Sequence, residues 1–92
     1  MTPEKLADYC LAKPGAWADE PWEDDKVAKV HDKIFAFMGR DTVGLKAGAN
    51  REEADEWLLR YPDDDICDAV DTSYALVVAK LPKKHRPDGW DS

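Results

Sequence analysis

Apolar residues at Ile66, Val70, Tyr74, Val77, Val78 and Leu81 recur three and four positions apart near the C-terminus. That spacing gathers them on one side of a helix. Each side chain contributes roughly 1.5–3 kcal/mol when fully removed from water, so this helix is expected to anchor the core. Asp63, Asp64 and Asp65 stand at its start, where carboxylates offset the exposed amides of a helix N-terminus.

The remaining elements follow in chain order. Thr2, Pro3 and Glu4 read as an N-cap, a first-turn proline and a dipole-favoured acid. Leu6, Tyr9 and Cys10 share one face of the resulting helix, and Lys13-Pro14-Gly15 ends it. From Ala16 to Lys26, Trp17 and Trp22 stand among prolines and acids with no period of either kind, which predicts an ordered loop. Val27–Val30 and Ile34–Met38 are apolar runs separated by His31-Asp32-Lys33, the pattern of a hairpin. Strict alternation puts Ile34, Ala36 and Met38 on one face and Phe35 and Phe37 on the other, which makes this strand central. Gly39-Arg40-Asp41 turns the chain into a third strand from Thr42 to Lys46. Asn50-Arg51-Glu52-Glu53 fits a capping box, and Ala54, Trp57, Leu58 and Tyr61 continue at helical spacing to Pro62. The expected fold is α+β, with an antiparallel sheet of about three strands packed against three helices. It forms one domain over residues 1–82, followed by a basic, flexible tail at 83–92.

Composition narrows the function classes. Hydrophobic residues make up 43% of the 92 residues and charged ones 36%, the balance of a globular chain rather than a disordered one. A net charge of -7 disfavours nucleic acid on average, although a local basic patch acts at shorter range than the average. No run approaches the length of a membrane helix. Cys10 and Cys67 lack the close spacing of a metal or redox motif, so a cytoplasmic protein with reduced thiols is expected.

The pieces in order resemble the MmcQ/YjbR family. The resemblance is carried by Tyr9-Cys10-Leu11-Ala12-Lys13-Pro14-Gly15-Ala16, Pro21-Trp22, Lys29-Val30, Lys33-Ile34-Phe35-Ala36, Leu45-Lys46, Arg60-Tyr61-Pro62, and Ser73-Tyr74 through Val77-Val78 to Lys80-Leu81-Pro82-Lys83-Lys84. It implies a compact α+β fold with helices on a bent antiparallel sheet, and DNA binding through two winged hairpins. It implies no catalytic residue. The chain departs from the family where relatives carry some two dozen further residues, with a second hairpin, between the Tyr-Pro and Pro-Asp-Asp segments. Pro62-Asp63-Asp64 serves as both ends here. A deletion there predicts a short turn between helices and an unpaired sheet edge, an invitation to dimerise.

Candidate chemistry is sparse. Lys80, Lys83, Lys84 and Arg86, with His85, form a basic cluster that can neutralise phosphates, or else complement a helix C-terminus. Lys29, Lys33 and Lys46, with Arg40, lie on or beside the strands and extend the candidate nucleic-acid surface; Asp24, Asp25, Asp32 and Asp41 oppose it. Cys10, His31, Cys67 and His85 are zinc-type residues without zinc spacing, so neither metal nor cofactor is expected. No thiol has a neighbouring base, and the chain is expected to be a non-enzyme. Trp17, Trp22 and Trp57 are expected to pack, while Trp90 either tethers the tail or anchors a partner. The functions this leaves are DNA binding, a protein-interaction or chaperone-like role through a sheet edge or Trp90, and a small-molecule pocket between the Trp17–Trp22 loop and the sheet.

Overall fold

In the computed structural model, the described residues are 1–22, 25–39, 42–45 and 55–90. Among them are helix α1 (Pro3–Leu11), strands β1 (Ala16–Trp22), β2 (Asp25–Val30), β3 (Lys33–Met38), β4 (Thr42–Leu45) and β5 (Asp55–Leu58), helix α2 (Asp63–Ala79) and a 3-10 turn at Lys83–His85. The strands form one antiparallel sheet in the order β1-β2-β3-β4-β5. The α+β class and the antiparallel sheet stand; among the described residues the expected three strands become five and the three α-helices two.

Both helices cover one face of the sheet. Leu6 and Cys10 of α1 and Ile66, Val70, Tyr74, Val77 and Val78 of α2 meet Ala28, Val30, Phe35, Ala36, Val43 and Leu45 in the main core. The stripe that predicts α2 is therefore its buried face, and Leu81 just beyond it is buried too. Thr2 caps α1 as its sequence predicts, its Oγ accepting from the Lys5 amide at 3.1 Å.

Two segments depart from their local pattern. The expected loop at 16–26 is largely strand: Ala16 to Asp19 pair with Val30 to Val27, and Trp17 stands opposite Lys29. Of the helix expected to follow the capping box and run to Tyr61, the described residues Asp55–Leu58 form strand β5 instead, where Trp57 pairs with Val43 and Leu58 with Thr42. Trp57 packs against the core from that strand. Cross-strand burial thus overrides a four-residue coincidence with helical spacing. The capping box at 50–53, Arg40 and Lys46 lie outside the described residues.

A register shift between β2 and β3 changes the face assignment. Ala28 pairs with Ala36 but Lys29 pairs with Ile34, which leaves Phe35 as an extra residue on β3. Such a bulge breaks strict alternation. Phe35 and Ala36 both join the helix-side core, while Ile34 packs with Val27 and Phe37 in a second cluster.

Candidate nucleic-acid interface

The hairpin between β2 and β3 turns through His31 with φ of 55°, a left-handed conformation uncommon outside glycine but better tolerated by histidine than by most residues. Trp17 Nε1 donates to the His31 carbonyl at 2.8 Å and holds this tip against β1. The His31 ring lies parallel to that of His85, with centroids 4.2 Å apart and planes 12° apart. This stack brings the hairpin tip, which carries Lys33, to the turn that carries Lys83 and Lys84.

Residues 83–90, expected as a tail, fold back on the domain. Arg86 donates from Nε to the Leu81 carbonyl at 3.0 Å and from Nη2 to the Ala79 carbonyl at 2.9 Å. These bonds satisfy carbonyls at the end of α2. Trp90 packs against the main core with the Arg86 guanidinium 5.8 Å from its ring centre. Gly15, at φ of +73°, comes so close that a Cβ there would lie 2.7 Å from Pro87 Cγ.

The candidate cations divide accordingly. Lys33, Lys80, Lys83 and Lys84 are exposed and enter no ion pair among the described residues. Arg86 is engaged in capping α2. Lys29 is held on the sheet face away from the helices by Asp19 Oδ2 at 2.8 Å and lies 5.1 Å from the Trp17 ring centre. The hydrogen bond from Lys29 holds the Asp19 carboxyl below its usual range. Lys46 lies outside the described residues. The parallel histidines carry no sequence signal, being 54 positions apart and joined only by the hairpin and the return of the chain after α2.

A second polar cluster lies between α1 and α2. Tyr9 donates to Asp71 Oδ1 at 2.6 Å, and Lys13 pairs with the same carboxylate beside the Tyr9 and Tyr74 rings. Tyr74 donates to the Pro14 carbonyl at 2.5 Å. Burial pushes the Cys10 thiol up to about 12 and raises the Cys67 thiol as well. Burial, with the Asp71 bond second, raises the Tyr9 phenol. These groups are held in their neutral or paired states, which clamps helix to helix and gives no activated nucleophile. Among the described residues no three His, Cys, Asp or Glu side chains could hold a metal ion, and no helix is long and apolar enough to cross a membrane. The Trp17–Trp22 segment, expected as a loop, is a strand of the sheet. A cleft of about 310 Å³ lies between this part of the sheet and α1, lined by Ala7, Leu11, Ala18, Asp19, Glu20, Lys26 and Met38.

Comparison with known proteins gives a family model, described as YjbR, that matches residues 11–64. The uncharacterized protein YjbR of two Escherichia coli strains is 30% identical over 113 residues, covering 94% of this chain and 95% of the relative. An alignment of 113 positions against 92 residues leaves at least 21 positions of the relative without a counterpart here. No solved structure gives a significant match.

Proposed function

This chain belongs to the YjbR family, and on that premise we propose that it is a non-enzymatic binding protein whose ligand is nucleic acid. The corner formed by Lys33, Lys80, Lys83 and Lys84 makes the contact. The observation that carries this reading is the His31–His85 stack, which joins two basic segments while their lysines stay exposed and unengaged by acids among the described residues. Four cations on one corner can displace counterions from phosphates even on a chain of net charge -7. Asp32 and Asp88 flank the corner and temper its potential.

The test is fluorescence anisotropy with labelled duplex DNA across a salt series, for the wild-type chain and for Lys33, Lys80, Lys83 and Lys84 changed together to Glu. Wild type should bind with an affinity that falls steeply with salt. The variant should lose binding, and with it roughly 0.9 in log-log slope for each phosphate contact removed. A flat wild-type titration at low salt refutes the reading. A second reading, a homodimer or protein partner joined along β5, is favoured by that strand's pairing with β4 alone among the described residues; sedimentation velocity at increasing protein concentration decides it.

A further inference from the structure

The basic corner carries aromatic rings as well as lysines. Trp17 is 44% exposed, a large value for an indole on a strand, and its Nε1 bond to His31 fixes the ring edge against the hairpin tip. His31 and His85 are exposed and stacked on each other, each leaving its outer face free of the other ring. The indole and the histidine pair thus meet at the hairpin tip, with Lys33, Lys83 and Lys84 on the segments that carry the histidines.

We propose that Trp17, His31 and His85 form a stacking platform for the unpaired bases of single-stranded nucleic acid, with the neighbouring lysines taking the phosphates. The proposal rests on the basic-corner reading and names its ligand. Planar rings interleaved with cations fit a strand whose bases are free, because each base offers a flat face to an aromatic side chain and a phosphate to a cation. A duplex hides those faces inside its own stack and offers the corner phosphates alone. The rings are also positioned in advance. The Trp17 bond to His31 and the Lys29 ammonium beside the indole restrict its rotation, so less side-chain freedom is lost on binding. The remaining exposed large apolar side chains among the described residues, Leu11, Tyr61 and Leu76, have no comparable set of cations on their segments.

Anisotropy with a labelled oligothymidine strand, a duplex of equal length and an abasic strand of equal charge tests this directly. Wild type should prefer the oligothymidine to both others. Trp17→Ala and His85→Ala should each weaken oligothymidine binding by about 5- to 150-fold and duplex binding by a clearly smaller factor, because the lysines that meet its phosphates are unaltered. His85→Phe keeps a ring and should keep the preference. Circular dichroism melts identify any variant that unfolds; because His85 is exposed, its substitutions remain informative if Trp17→Ala is unstable. Equal binding of strand, duplex and abasic strand, unchanged in the ring variants, overturns the platform and leaves the basic corner standing. Absence of binding to all three overturns both.

Discussion

Ser73 is the one fully buried polar side chain among the described residues, and its hydroxyl donates to the Phe35 carbonyl at 2.7 Å. Phe35 is the extra residue of the β3 bulge, where the regular ladder is interrupted and a main-chain group needs a partner from elsewhere. Ser73→Ala removes that donor and leaves a carbonyl buried without it. Such a loss costs about 1–3 kcal/mol, the desolvation penalty of the stranded acceptor. Domains of this kind have a total stability of about 5–15 kcal/mol, so the variant should be plainly weaker. In a chain of this size each kcal/mol lowers the melting temperature by about 4–8 °C. Thr72 supplies the control: its hydroxyl donates to the Asp68 carbonyl on the exposed side of the same helix, and Thr72→Ala should change stability by less than about 0.5 kcal/mol. Urea denaturation followed by far-ultraviolet circular dichroism compares the two. The midpoint of Ser73→Ala should fall with little change in slope. Equal stabilities for both variants would refute the bulge-locking role of Ser73.

Three further expectations are open to measurement. Gly15→Ala combines a left-handed φ with a Cβ placed 2.7 Å from Pro87 Cγ; it should cost about 1–2 kcal/mol or more and speed tryptic cleavage after Lys83 and Lys84, and an unchanged digestion rate would count against the Gly15–Pro87 contact as a clamp. Because burial lifts the Cys10 thiol from about 9 to about 12, the unfolded chain gives up this proton first; the group's contribution is complete below pH 9 and declines toward pH 12 at up to about 1.4 kcal/mol per pH unit. Alkaline urea titrations should therefore be less steep for Cys10→Ala, and parallel profiles would rule the thiol out as a contributor. In a double-mutant cycle, Tyr9→Phe and Asp71→Asn should couple by at least about 0.5 kcal/mol through their hydrogen bond; strict additivity would show that the bond contributes nothing.

The central parts of this fold are legible in the chain because their signals are local. Thr2-Pro3-Glu4 begins α1, Asp63 to Asp65 begin α2, and the apolar stripe of α2 is its buried face. The two edge strands are not. β1 contains Pro21, acids and small residues, and its pairing with β2 runs across a register shift between Asp19 and Trp22 that no local pattern announces. β5 is four residues long, and Trp57 and Leu58 fit either period until Val43 and Thr42 are placed beside them. The bulge at Phe35 likewise emerges only from the mismatch between two strands. In the candidate interface, lysine positions are readable but their engagements are not: Asp19 on the neighbouring strand occupies Lys29, and the end of α2 occupies Arg86. The aromatic half of the corner depends on His31 and His85 meeting across 54 positions, which no local pattern encodes.

The sheet's spatial order is also its chain order, and this has a consequence for how such a protein gains and loses length. Each strand is laid down beside its predecessor, so assembly from β1 to β5 requires only short loop closures, the kind that favour rapid folding. Among the described residues β5 is the last rung. A hairpin inserted between β5 and α2 can pair with that edge without disturbing any earlier register, and its removal leaves β1 to β4 with the neighbours they had. Such a sheet can take up the at least 21 additional positions of a homologue as further rungs while every earlier pairing is kept.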